Sequence, residues 1–370
     1  MDGVSIQELL DRVAEAAASA ENARRQAAPN PRIRVYMENI GWTQLLDYDM
    51  NDYFADPARN CELQLRQKLY AFETFDDDTP ITLDLLARVG HYFDMTVAGH
   101  EVEHGADGVP VIQEDHPLRR TPDLSLLPRH NFYVSGEMPR VFNLYEGLQE
   151  LTEGRANVVF PRWERGPLDM AIQFRGYTQL MADVVERPEF VHSLLGFLTE
   201  ERMRWWDSYV AELGVTDRSG GIADDWLNVP FISPGFFEEF LLPRYLELER
   251  YHGRLTCLHS CGNKAPLQPL IRRLETLTDY EVNHWTDLRE TCLNVPPTRS
   301  LTIALLNADV LIQDEAAQAA QLREIRELCR GRRYEVVGSA LMRMHDDMGE
   351  DIARAQRWVA LAKRVLRDEG

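Results

Sequence analysis

From about residue 155 onward this chain alternates short β-type runs with long helical segments, and that alternation limits the fold more than any other feature. The strand-like runs are 157–161, 221–223, 255–259, 280–283, 301–306 and 334–338; the helical segments include 177–213, 234–251, 316–329 and 351–367. Repeated strand–helix units predict a parallel sheet, because a parallel neighbour is reached only through a crossover long enough to hold a helix. Two further strand candidates lie near residues 33 and 82. No G-x-G-x-x-G turn follows the first strand, so an open dinucleotide-binding sheet is disfavoured. The expectation is an α/β protein built as a single (β/α)8 TIM barrel with a helical and loop-rich N-terminal elaboration.

Residues 4–28 read as one amphipathic helix, with Ile6, Leu9, Leu10 and Val13 on a common face and Asn30-Pro31 ending it. The chain is therefore divided into an N-terminal helix, 1–29, and a barrel, 30–370. That helix could pack on the barrel or on a second subunit, which leaves a homodimer open. Residues 56–75 form a second long helical stretch, capped by Asp56 with Pro57 at its first position. Residues 76–136 are rich in loop signals. A formal net charge of −20 repels phosphates, so nucleic acid and anionic membranes are not expected as partners. No apolar run approaches a membrane span, and the N-terminus lacks a basic segment followed by an apolar one. Five cysteines without framework spacing point to reduced thiols, and together these features predict a cytoplasmic protein acting on a small molecule.

Chemistry concentrates where strands end. The run Leu255–His259 leads into Ser260-Cys261-Gly262-Asn263. Alternate residues on a strand face the same way, so His259 and Cys261 can point together off its carboxyl end as a zinc-ligand pair. A buried thiol beside a hydrogen-bonded histidine is the bland reading of the same two residues. Asp224-Asp225-Trp226 follows another short apolar run, where carboxylates could orient substrate, transfer protons or bind metal, or merely cap a loop. His284 ends the next strand, after Glu281, and could line the same mouth or serve as a packing histidine.

Other motifs are set aside. His100-Glu101-Val102-Glu103-His104 matches the zinc-protease pattern H-E-x-x-H, but glycines flank it, and that chemistry needs a stable helix. A solvated acidic loop with two surface histidines is expected instead. Cys257 lies about 13 Å along the strand from Cys261, too far to share a zinc ion, and is assigned to the core. Cys292 and Cys329 read as structural.

Four stretches occur in an order that resembles the uroporphyrinogen decarboxylase superfamily. They are Arg165-Gly166-Pro167-Leu168-Asp169-Met170-Ala171, Arg175-Gly176-Tyr177, Asp224-Asp225-Trp226 through Ile232-Ser233-Pro234, and His259-Ser260-Cys261-Gly262-Asn263. The resemblance spans roughly residues 30 to 366 and is closest to the zinc- and cobalamin-dependent methyltransferase branch. It implies a (β/α)8 barrel, a zinc ion on His259 and Cys261, and a corrinoid supplied by a separate protein. In that branch a cysteine on the last strand completes the site, whereas this chain has Ser339 in Val336-Val337-Gly338-Ser339-Ala340. Asp225, Glu281, His284 and His345 are the candidates to replace it. The arginine-rich substrate signature of the decarboxylase itself is missing; Met37-Glu38-Asn39-Ile40-Gly41-Trp42 stands there. The leading expectation is a methyltransferase, with Asp225 and His284 as catalytic groups and Asp224, Trp226, Arg175 and Tyr177 binding substrate. The alternatives are a metal-free lyase or decarboxylase acting on a small anionic substrate through Asp225 and Arg175, and a binding protein without turnover.

Overall fold

A computed structural model of the chain describes residues 4–104, 110–113 and 115–368. It divides into two compact units, each assembled from separate stretches of sequence. The first comprises Met1–Arg88, Asn143–Phe160 and Ser300–Gly370; the second comprises Val89–Phe142 and Pro161–Arg299.

Ten strands are numbered in chain order: β1 Arg32–Met37, β2 Asp84–Leu86, β3 Val102–His104, β4 Pro110–Ile112, β5 Asn157–Val159, β6 Gly220–Ala223, β7 Leu255–His259, β8 Asp279–Val282, β9 Ser300–Leu305 and β10 Tyr334–Leu341. In the first unit β1, β10 and β9 run parallel side by side, and β2 pairs parallel with β5. In the second unit β6, β7 and β8 form a parallel ladder, and β3 and β4 make a small antiparallel hairpin. All eight strands expected from the sequence are present and parallel. The fold is mixed α/β.

In the first unit β1 alternates buried Ile33 and Met37 with more open positions, and Leu301, Ile303, Leu305 and Val336 continue the apolar layer. The free edge of β1 is met by carboxylates rather than by a strand: Ile33 N–H donates to Asp78 at 2.7 Å and Val35 N–H to Asp77 at 2.9 Å. The N-terminal segment is two helices, Ile6–Ala17 and Ala20–Gln26, where one was expected. Ser19 explains the break, since its hydroxyl accepts the Asn22 N–H at 3.1 Å and starts a new helix. Leu9, Leu10 and Val13 are buried, and their helix packs on the Pro57–Thr74 helix. Asp56 caps that second helix as expected, accepting from Ala58 N–H at 2.8 Å.

The second unit is built around large aromatic side chains; Trp163, Trp205, Trp206 and Tyr245 are fully buried. The expected 177–213 helix is divided into Tyr177–Glu186 and Pro188–Leu213. Pro188 has no N–H to continue the helix and forces Arg187 into a non-helical conformation. The longer helix carries Arg202, buried and donating to the carbonyls of Glu164 at 3.0 Å and Gly221 at 2.6 Å. It thereby ties the 164–166 segment to β6. Backbone bonds reinforce the tie, with Ala223 N–H donating to Glu164 O at 2.8 Å and Gly166 N–H to Ala223 O at 2.6 Å.

The H-E-x-x-H stretch is not a helix, and its second half is strand β3. One detail departs from expectation: His100 is buried rather than at the surface. Its ring nitrogens meet the carbonyls of Glu101 at 3.1 Å and Gln173 at 3.2 Å.

Candidate metal centre

The carboxyl ends of β6 and β7 place three donors of different chemistry at one point in the second unit. Asp225 follows β6, His259 ends β7, and Cys261 lies two residues beyond it. His259 Nε2 is 3.0 Å from Asp225 Oδ1, Cys261 Sγ is 3.1 Å from the same oxygen, and Sγ is 3.4 Å from Nε2. Among the described residues this is the one trio of His, Cys, Asp or Glu side chains so gathered.

The loop is held in place by the residues of the motif itself. Ser260 Oγ donates to Leu227 O at 2.8 Å, and Val229 N–H donates to Asn263 O at 2.9 Å. At Gly262 a Cβ would come within 2.3 Å of Asn228 Cγ, so only glycine lets the two loops close together. Asn283 Nδ2 bonds the carbonyls of Ser260 and Gly262, the latter at 2.9 Å. The loops after β6, β7 and β8 are thus locked to one another by buried polar contacts.

On the far side of His259, Nδ1 lies 2.7 Å from a Glu281 carboxylate oxygen. Desolvation pulls the imidazole's pKa down, but hydrogen bonds with Asp225, Cys261 and Glu281 prevail and push it up to about 12. Asp225 moves the opposite way. Burial raises its pKa, yet the hydrogen bonds from His259 and Cys261, with the nearby Arg165, hold it down at about 2.

A tetrahedral zinc with bonds of 2.0–2.3 Å separates its ligand atoms by about 3.3–3.6 Å. The observed triangle needs to open by only a few tenths of an ångström to accept such an ion. Imidazole, thiolate and carboxylate are all zinc donors, and the Glu281–His259 bond would hold Nε2 toward such an ion. Cys261 is exposed and Asp225 and His259 are partly open, so an ion held there would be reachable from solvent. The residues fit the ion. Of the four candidates for the third ligand, Asp225 is the one that stands with His259 and Cys261. Glu281 stands behind His259 rather than beside Cys261, and His284 is exposed, with its ring edge-on to Trp285. Ser339 and His345 belong to the first unit, where His345 Nδ1 lies 2.6 Å from Asp351.

The remaining expected site residues divide. Trp226 stacks on Tyr177 with ring centres 5.6 Å apart, and Phe231 closes the group edge-on to Trp226 at 4.8 Å. Trp226 directly follows Asp225 in sequence, and all three rings are only partly covered. Asp224 does not face the site. It is fully buried and accepts from the N–H groups of Leu168 at 3.2 Å and Asp169 at 2.5 Å and from Tyr245 Oη at 2.7 Å. Burial, with Asp169 close by, raises its pKa well above the carboxylate range. Arg175 is also buried: it forks onto Asp183 at 2.6 and 3.2 Å and donates to Leu118 O and Arg119 O, four bonds that make it a packing group.

Sequence reasoning gave no role to Arg165, which bridges Asp94 at 3.0 Å and Asp169 at 2.9 Å and lies 3.9 Å from Asp225. Burial and the Asp225 charge push Asp169 up to about 6 against the pull of Arg165. The i, i+4 spacing of Arg165 and Asp169 across a helix start was the available signal.

No family model and no curated protein matches this chain. Among solved structures it is similar to a methyltransferase from Methanosarcina mazei, with a TM-score of 0.65 and 15% identity over 97% of this chain and 99% of that one. The likeness extends through both units and shows a shared fold.

Proposed function

We propose that this chain is a methyltransferase whose metal centre is formed by His259, Cys261 and Asp225. The observation that carries the reading is the convergence of these donors within 3.0–3.4 Å, with Glu281 on the outer nitrogen of the histidine. The fold shared with a methyltransferase supports it. We further propose that the eight parallel strands close into a (β/α)8 barrel preceded by the N-terminal helices, in the manner of uroporphyrinogen decarboxylase-like enzymes.

Zinc bound there would supply positive charge that lowers the pKa of a thiol acceptor or draws charge from the leaving atom of a methyl donor. The chain's own groups set up the rest. Glu281 orients His259 and keeps its Nε2 aimed at the centre. Arg165 holds Asp169 and steadies Asp225 against the repulsion of its carboxylate neighbours. Trp226, Tyr177 and Phe231 form an apolar wall beside Asp225 that can exclude water from a methyl group. His284, exposed after β8, is proposed as the acid or base at the mouth. We propose a corrinoid on a separate protein as the other station of the methyl group, and a cytoplasmic setting for the reaction. Among the described residues no helix is long and apolar enough to cross a membrane, and all five cysteines are free.

The metal-free lyase depended on Arg175, whose guanidinium is engaged with Asp183, and it ranks second for that reason. The test is demethylation of free methylcobalamin with a small alkanethiol, followed by absorbance. The wild type should consume it and His259→Ala should not; equal rates in both would contradict the proposal.

A further inference from the structure

The first unit contains a cavity of about 440 Å³ lined by β1, the Pro57–Thr74 helix and the segment that leads from that helix into β2. That volume lies within the range of small-molecule sites. Its wall combines features that packing alone does not require.

Lys68 projects from the helix into this lining, half-buried, and makes no hydrogen bond or ion pair among the described residues. The chain has only three lysines, and the other two are engaged. Lys363 pairs with Asp76 at 2.9 Å, and Lys264 donates to Ser260 O at 3.4 Å. Burial lowers the Lys68 pKa, with Asp84 opposing. Arg34 lines the space as well; its one hydrogen bond among the described residues reaches Glu335 at 3.4 Å, and its Nε is buried with no partner. Two phenols also line the space, those of Tyr53 and Tyr36, and neither hydroxyl has a hydrogen-bond partner among the described residues. The indole of Trp42 and further aromatic rings complete the wall.

We infer that this cavity is a binding site for a small planar aromatic carboxylate. Of the four cations in the lining, Arg25 is taken up by Glu21 and by Asp77 and Arg88 is engaged, which leaves Lys68 and Arg34, with the two phenols, to match one carboxylate; flat rings match an aromatic body better than they match a phosphate or a sugar. The inference goes beyond the methyl-transfer reading and does not depend on it.

The test is isothermal titration of the full chain with 2-naphthoate and with the neutral 2-naphthamide. Naphthoate should bind saturably at one site, and naphthamide about tenfold more weakly or worse. Lys68→Met should remove that preference by weakening naphthoate alone, while Ala71→Phe, which fills the cavity from the same helix, should abolish binding of both. Circular dichroism checks that each variant is folded, and the naphthoate–naphthamide comparison stands even where a variant is not. Absence of saturable naphthoate binding, or unchanged affinity in folded Ala71→Phe, overturns the assignment. Naphthamide binding as tightly as naphthoate overturns the role of charge.

Discussion

Replacing Glu281 separates a metal centre from a hydrogen-bonded histidine. The carboxylate lies 2.7 Å from His259 Nδ1, and its removal leaves the three proposed ligands chemically intact. In Glu281→Gln an amide oxygen can still accept the N–H bond, but without charge. A charge-assisted bond is roughly twice as strong as a neutral one, so the difference is about 1 kcal/mol, or about fivefold in zinc affinity. In Glu281→Ala the whole outer bond is lost, and the expected weakening reaches about 10- to 100-fold. Competition against a chromophoric chelator measures both. The expected order is wild type, then Gln, then Ala, with zinc stoichiometry at saturation unchanged. Equal affinity in all three proteins would refute the claim that Glu281 orients a ligand.

Further outcomes follow from the neighbouring residues. Asp224→Ala leaves three buried donors without an acceptor, and at about 1–3 kcal/mol each, partly relieved by relaxation, the loss should be about 3–5 kcal/mol in urea unfolding. A loss below about 1 kcal/mol would show that Asp224 is not the anchor described. His252 is buried, and burial with the adjacent Arg202 holds its pKa down at about 4. The unfolded chain therefore binds more protons between about pH 6.5 and 4. Stability should be complete above 6.5 and fall by up to about 3 kcal/mol as pH drops toward 4. His252→Gln should flatten that part of the pH profile, and an identical slope in wild type and variant would count against it.

The strand–helix alternation made the secondary structure legible because each period reports directly on which face is buried. All eight parallel strands were located that way, and His259 and Cys261 were paired from strand geometry alone. Local backbone chemistry set the differences: Ser19 restarts a helix and Pro188 divides another, and both residues were readable as such. The two aspartates after β6 were harder. Adjacent residues leave a strand end in opposite directions, so Asp224 turns inward to the Leu168 and Asp169 N–H groups while Asp225 turns out toward His259. Only the position of the 164–168 segment decides which is which. Arg175 and Arg165 show the same limit. One is bound by Asp183, eight residues on, and the other is drawn to Asp94, distant in sequence; charge counting could not tell the packing arginine from the site arginine.

The central claim is that His259, Cys261 and Asp225 together hold a metal ion, and metal content of purified protein tests it most directly. Wild type prepared without chelators should carry close to one zinc per chain by plasma mass spectrometry. His259→Ala, Cys261→Ala and Asp225→Ala, each folded by circular dichroism, should each lose most of it. A wild type that carries no zinc and takes up none on titration would contradict the claim, and so would full retention in all three variants.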